Sequence, residues 1–282
     1  MQENIFVEQP FDFSRHSTIG CGGMAKKAFY PSNEEEVRFL LSQPSNGWVA
    51  VGCLSNVLPS DKGTDKNVIC TKRLTEITLT PEGVYVSAGV TSGALIRYMQ
   101  ENTLSGAEFI VGIPCTLGGL LYMNGGVRGK YIAEIVQSVR IFRDGQTLEL
   151  PVEECHYAYK HSVFMHTGDF ILGGTLRLVK APREQIDEEI HRWLQLRANL
   201  PKGKSMGCVF KNPDGISAGA LIEGAGLKGT RVGGAVVSNI HANFILNDQN
   251  ATAQDIHTLI ALIKNKVKAQ YGIALEEEIR YL

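Results

Sequence analysis

The window Ser205-Met206-Gly207-Cys208-Val209-Phe210-Lys211-Asn212-Pro213 places a thiol beside an ammonium group and an amide, on a stretch whose Gly and Pro exclude a helix interior. A protonated thiol can donate a proton, and a neighbouring cation and amide can hold an anionic or polar substrate. An isolated Cys is more often an inert small hydrophobe, so the window gains meaning from its company. Gly52-Cys53-Leu54-Ser55-Asn56-Val57 leaves an apolar run and gathers N–H groups, a hydroxyl and an amide at one turn, a nest suited to a pyrophosphate. Gly112-Ile113-Pro114-Cys115-Thr116-Leu117-Gly118-Gly119, followed by Asn124-Gly125, is a second stretch rich in main-chain donors. Those donors need a partner, and either a large flat cofactor or a tight crossing of loops would provide it.

The elements that must position these segments alternate between the two hydrophobic periods. Acidic Glu34-Glu35-Glu36 opens a helix over 37–41, and Trp48-Val49-Ala50-Val51 reads as a short buried strand ending at Gly52. A strand over 83–89 is followed by an amphipathic helix over 91–101 carrying Leu95, Ile96 and Met99. The runs 138–142 and 147–150 have hairpin spacing around Asp144-Gly145, and 170–179 supplies another strand. At Lys180-Ala181-Pro182-Arg183 the composition shifts to a polar helical stretch over 184–198, and a domain boundary is placed there. Beyond it, the pattern predicts a short helix over 218–224, strands over 235–237 and 243–246, and a helix over 253–270 stopped near Gly272.

With 282 residues, the chain has room for two or three units with substantial cores. The 28 basic and 29 acidic side chains nearly cancel, so no global field attracts nucleic acid or an anionic membrane. The N-terminal stretch through Pro10 has no signal-peptide core and no run is long enough to span a bilayer, which gives the expectation of a cytoplasmic protein. The six Cys, at 21, 53, 70, 115, 155 and 208, form no CxxC pair or Cys/His ligand grouping, which argues against a structural zinc site and a disulfide framework. Cys70, inside Asn67-Val68-Ile69-Cys70, reads as core.

Three nucleotide-like patterns fail on context. Gly20-Cys21-Gly22-Gly23-Met24-Ala25 has no clear strand before it, and Phe29-Tyr30-Pro31 cuts off any helix after it. Gly224-Ala225-Gly226-Leu227-Lys228-Gly229 follows a helix and reads as its C-cap and loop. Gly203-Lys204-Ser205 lacks the first Gly of a phosphate loop, because Ala198 stands there.

Nearly end to end, ordered motifs resemble the UDP-N-acetylenolpyruvoylglucosamine reductases (MurB) in their shorter form. They are His16-Ser17-Thr18-Ile19 with Gly22-Gly23, Ser55-Asn56-Val57-Leu58, Gly112-Ile113-Pro114 with Thr116 and Gly118-Gly119, and Met123-Asn124-Gly125. Tyr159-Lys160-His161-Ser162-Val163-Phe164, the 205–213 window, 218–229, His241-Ala242-Asn243-Phe244 with Asn247, and 275–280 continue the series. The resemblance implies an α+β fold: a p-cresol-methylhydroxylase-type FAD domain made of subdomains 1–66 and 67–180, then an α+β substrate domain over 181–282. It implies that NADPH reduces FAD, that reduced FAD passes hydride to C3 of an enolpyruvyl UDP-sugar, and that C2 is then protonated.

By the same resemblance, Gly52, Cys53, Leu54, Ser55, Asn56, Val57, Gly112, Ile113, Pro114, Cys115, Thr116, Gly118, Gly119, Asn124 and Gly125 hold FAD. Cys208 is the proton donor, standing where the family has Ser; Glu278 and Lys160, the latter at the family's Arg position, hold the substrate carboxylate. An ordinary thiol, with a pKa of about 8.5, stays mostly protonated at neutral pH and is a better acid than a hydroxyl. Lys offers a mobile point charge in place of a planar fork. Tyr159, Lys202, Lys211, Asn212, Glu223, Arg231 and His241 are the expected substrate contacts. Cys53, Leu54 and Cys115 stand at Gly positions of the family's turns, which is compatible with the turns only where φ is negative or the cofactor approaches less closely. The alternative is a non-enzymatic paralogue keeping the fold and UDP-sugar binding. A monomer is expected, with no metal.

Overall fold

The computed structural model describes residues 5–282. The first four residues, part of the N-terminal stretch read for targeting signals, lie outside the described residues. The described residues gather into two compact units that interleave along the sequence: 5–8, 28–53 and 66–198 form the first, and 9–27, 54–65 and 199–282 the second. Three consecutive segments were expected from the sequence.

The first unit is built on two sheets. In the smaller, strands Phe6–Glu8, Ala28–Tyr30, Asn67–Cys70 and Trp48–Val51 lie in that order, the last three parallel. In the larger, Gln146–Pro151, Val136–Arg143, Phe170–Leu176, Gly83–Ser87 and Ile77–Thr80 lie in that order, every pair antiparallel, with two hairpins joined through the central strand. Its first hairpin is closed by Asp144 and Gly145, both at positive φ (48° and 82°), the two-residue turn whose twist matches that of the flanking strands. Phe170–Leu176 is buried along its whole length, as the central strand of a sheet covered on both faces must be. One face carries helices Ser92–Glu101 and Leu117–Met123 through Leu95, Met99, Leu117 and Leu121; towards the smaller sheet, Phe142, Phe170 and Leu172 pack with Val37, Leu40 and Ile69.

Helix Arg183–Arg197 explains why the break expected at 180 falls instead after 198. Its apolar stripe, Ile186, Ile190 and Trp193, belongs to the core of the larger sheet, and Trp193 meets Phe109 edge-on at 6.5 Å. The composition shift in the sequence marks a change of element; burial decides which unit owns it.

The second unit centres on strands Ser205–Cys208, Phe244–Asn247, Ala235–Val237 and Arg231–Val232, all antiparallel. Helices Ala218–Gly224 and Ala253–Tyr271 share its core through Leu221, Ile222, Ile256, Leu259 and Ile263. Thr252 and Asp255 cap the longer helix reciprocally, and Gly272, at φ 72°, ends it as the sequence predicts. Among the described residues, no helix is long and apolar enough to cross a membrane.

Ile186→Ala should lower stability by about 2–4 kcal/mol, the cost of emptying a fully buried site, in chemical denaturation of the full chain. A change below 0.5 kcal/mol would detach this helix from the first unit's core.

Candidate active site

In the second unit, Cys208 ends the strand Ser205–Cys208, which pairs with Phe244–Asn247 through a register shift between Ser205 and Cys208. Gly207 sits in that irregularity at φ 76°, with open space where a Cβ would stand, so the strand can bend just before the thiol. Beyond Cys208 the backbone is held from both sides. The Val209 N–H donates to the Asn243 carbonyl (2.9 Å), and the Glu278 N–H donates to the Val209 carbonyl (2.8 Å). The Lys211 N–H donates to the Glu276 carbonyl (2.8 Å), continuing the zipper. Cys208 and Glu278 are thereby brought onto neighbouring rungs of one backbone ladder, and both side chains are partly exposed.

Asn243 makes the tightest clasp. Its side-chain oxygen accepts the Phe210 N–H (2.9 Å), and its amide donates to the Phe210 carbonyl (2.8 Å). The sequence motif His241-Ala242-Asn243-Phe244 assigns Asn243 no role; its one local hint is an Asn between two apolar residues. Asn56, expected at the cofactor, donates its side-chain amide to the Glu278 carbonyl (3.1 Å), while its own carbonyl accepts the Arg280 N–H (2.9 Å). It therefore holds the segment that carries Glu278 into the strand Arg280–Tyr281.

The expected substrate contacts divide. Lys211 pairs with Glu276 (2.5 Å), Glu223 with Lys228 (2.6 Å) and Arg231 with Asp248 (2.6 Å); Lys202 is exposed. The Asn212 side-chain oxygen accepts the Ala218 N–H (3.0 Å), helping to satisfy the start of helix Ala218–Gly224. Nδ1 of His241 accepts the Asn243 N–H (3.2 Å), and burial, aided by the Lys228 cation, pushes the imidazole below its ordinary pKa, so a neutral ring is favoured.

In the first unit, the strand Trp48–Val51 delivers Gly52 against Thr116. A Cβ at Gly52 would lie too close to the Thr116 hydroxyl and 3.3 Å from its Cβ, so only glycine lets the turn sit there. Thr116 is fixed by its neighbours: the Leu117 N–H donates to Val90 (2.9 Å), the Gly118 N–H to Ala88 (2.8 Å), and the Cys115 carbonyl accepts the Ser92 N–H (3.1 Å). The Ser92 hydroxyl also donates to the Ile113 carbonyl (2.5 Å). Yet the Thr116 hydroxyl itself is buried with no protein partner. Of the residues at Gly positions, Cys53 and Cys115 avoid positive φ, but Leu54 takes φ 50°. Burial pushes the Cys115 thiol up to about 12 and raises Cys53 too, so both are held as neutral thiols.

Asn124, buried and left-handed (φ 44°), donates to the Ala158 carbonyl (2.9 Å) and accepts the Ala133 N–H (3.2 Å). Its partner Ala158 exchanges backbone hydrogen bonds with His161 (3.2 and 3.1 Å), closing the tight turn Tyr159-Lys160 with Lys160 at φ 54°. Asn124, like Asn56, thus braces a segment that carries other site residues. Lys160 lies in the first unit, whereas Cys208 and Glu278 lie in the second.

A domain family described as "UDP-N-acetylenolpyruvoylglucosamine reductase, C-terminal domain" matches residues 198–282, and an FAD binding domain family matches 25–150. The UDP-N-acetylenolpyruvoylglucosamine reductase of Pelobacter propionicus is 37% identical over 99% of this chain and 96% of its own length. The chain belongs to this reductase family. The reductase of Chlamydia felis is 35% identical over all of this chain and 98% of its own. The crystal structure of the MurB reductase from Thermus caldophilus superposes with a TM-score of 0.86 at 33% identity, covering 99% of both chains. The expected α+β fold with an FAD-binding domain is therefore found, and the chain is an FAD oxidoreductase. The orphaned Thr116 hydroxyl fits the group: packed against Gly52, it is a buried donor without a protein partner, which a bound cofactor would satisfy.

Two variants test this anatomy. Thr116→Val removes the unpartnered hydroxyl, so it should leave the FAD-free protein as stable or about 1 kcal/mol more stable while weakening FAD binding about tenfold, read by fluorescence titration. Unchanged FAD affinity would remove Thr116 from the cofactor site. Asn243→Ala strands two groups of the buried Phe210 and should lower stability by roughly 2–5 kcal/mol in denaturant melts.

Proposed function

We propose that the chain reduces the enolpyruvyl ether of UDP-N-acetylglucosamine to UDP-N-acetylmuramate, with NADPH as the electron source. The observation that carries this reading is the backbone ladder that sets a thiol, Cys208, one rung from a carboxylate, Glu278, in a chain matched along its whole length by reductases of that name. Bound FAD would supply the hydride chemistry that links the nicotinamide to the enolpyruvyl carbon. What remains for the protein is a proton at the adjacent carbon and control of a carboxylate.

Cys208 fills the first role: its S–H protonates C2 as C3 gains hydride, and the thiolate is reprotonated from solvent before the next turnover. A soft, polarizable thiol gives up a proton more readily than a serine hydroxyl, so the exchange preserves the acid's function at neutral pH. Glu278 and Lys160 are assigned to the substrate carboxylate. Because Lys presents one point of charge, orientation of that carboxylate falls more heavily on Glu278. Lys202, Lys211, Asn212 and Arg231 are assigned to the diphosphate and sugar. The surface ion pairs of Lys211 and Arg231 are individually weak, so an incoming diphosphate can replace their carboxylate partners.

Absorbance of the purified protein, with and without added FAD, followed by anaerobic NADPH titration, tests the first half. Flavin bands that bleach support the reading; a colourless protein that ignores FAD supports the non-enzymatic paralogue. Stopped-flow traces separate the second half. Cys208→Ala should bleach with NADPH at the wild-type rate but lose about 10²–10⁴-fold in reoxidation by substrate, whereas Cys208→Ser should retain substantial turnover. Equal reoxidation in wild type and Cys208→Ala would remove Cys208 as the acid.

A further inference from the structure

Immediately after the Tyr159-Lys160 turn, two imidazoles face one another. The Nε2 atoms of His161 and His166 are 3.1 Å apart, with ring centroids at 5.2 Å and planes tilted by 36°. Nothing in the reduction described above uses either ring. The other nitrogen of His161, Nδ1, lies 3.3 Å from the His156 carbonyl oxygen. A carbonyl can only accept, so Nδ1 carries the hydrogen and Nε2 of His161 presents its lone pair toward His166.

That arrangement has two physical readings. In one, Nε2–H of His166 donates to Nε2 of His161, a neutral hydrogen bond between two imidazoles. In the other, a divalent ion takes the proton's place. With metal–nitrogen bonds of about 2.0–2.1 Å and a tetrahedral angle, two ligating nitrogens stand roughly 3.3 Å apart, within a few tenths of an ångström of the observed separation. A ring whose second nitrogen donates to a main-chain carbonyl is the usual dress of a metal-bound His, because that bond fixes the tautomer and aims the lone pair.

We infer that His161 and His166 form a two-imidazole clamp for a borderline divalent transition ion such as Ni²⁺ or Zn²⁺, with water completing the coordination. On binding, His166 moves its proton to Nδ1 through solvent, so two neutral rings give two lone pairs to the ion and no bond to carbon is made or broken. The backbone on which the rings sit is already ordered. The Ser162 hydroxyl, fully buried, donates to the Tyr122 carbonyl (2.6 Å), the Val163 N–H donates to the Cys155 carbonyl (2.9 Å), and the short helix Phe164–Thr167 is anchored by buried Phe164. His161 is half-buried and His166 exposed, so an ion can enter from solvent. The clamp is not the Cys-rich structural zinc site that the cysteine spacing argues against; it is a surface chelate that staples the exit of the Lys160 turn to the helix behind it.

Isothermal titration of the untagged, FAD-loaded full chain with NiCl₂ tests the clamp. Ni²⁺ is chosen because imidazole suits it while thiolates favour softer ions, which limits interference from Cys53 and Cys208. One equivalent should bind, and both His161→Ala and His166→Ala should weaken it by at least about tenfold, since loss of an outer-shell partner alone costs that much. His191→Ala, which removes an imidazole hydrogen-bonded to Gln195 on another helix, should leave the affinity unchanged. Absence of Ni²⁺ binding in the wild type, or binding that survives His166→Ala, would overturn the assignment and leave the pair as a hydrogen bond.

Discussion

In the second unit, the placement of Cys208 beside Glu278 rests on one side chain gripping one residue. Asn243 accepts from the N–H and donates to the carbonyl of Phe210, whose ring is itself buried in the unit's core. Each hydrogen bond contributes only about 1 kcal/mol net, but the peptide groups they satisfy cannot reach water, and leaving one unpaired costs about 1–3 kcal/mol. The asymmetry makes the clasp a constraint. Phe210 cannot rotate without stranding both groups, and Val209 and Lys211 on either side are zipped to the segment ending in Glu278. The thiol and the carboxylate inherit their relative positions from backbone hydrogen bonds, which hold direction better than two flexible side chains reaching for one another.

The first unit solves its positioning problem by sterics. The hydroxyl of Thr116 is aimed by hydrogen bonds on three neighbouring residues, all backbone, and is left without a bond of its own. A buried hydroxyl in that state is destabilising in isolation, a local cost that a bound group accepting from it would offset. Gly52 completes the arrangement by what it lacks, since any Cβ there would meet that hydroxyl.

Local pattern revealed the elements well and their partnerships poorly. Asp144-Gly145 announces its hairpin, and Thr252, Asp255 and Gly272 announce both ends of the last helix, because those signals act within a few residues. Asn56 and Asn124, which the family resemblance places at the cofactor, also make long-range contacts that their Gly-rich motifs do not announce. Asn56 holds the carbonyl of Glu278, 222 residues away, and Asn124 holds Ala158, 34 away. An amide in a turn has the same local signature whether it faces a ligand or a distant main chain. The strand Arg280–Tyr281 was likewise illegible: two residues pair in parallel with Val57–Leu58, too short for any periodicity. The interleaving of the two units has the same origin, since burial against a distant core, as with Ile186 and Trp193, is a property of the folded chain.

Three residues stand where the family resemblance expects glycine, and their backbone angles differ. Cys53 and Cys115 keep out of the left-handed region, so their side chains change the lining and leave the N–H directions alone. Leu54 is the harder case. At φ 50° a side chain costs about 1–2 kcal/mol relative to glycine. Leu54 is also 4% exposed, and burying a leucine contributes about 1.5–3 kcal/mol. The second quantity offsets the first, which is why a branched residue can occupy a conformation that glycine adopts freely. The turn therefore keeps its shape because the side chain is anchored, and its main-chain donors depend on a packing contact where a glycine would have relied on conformational freedom.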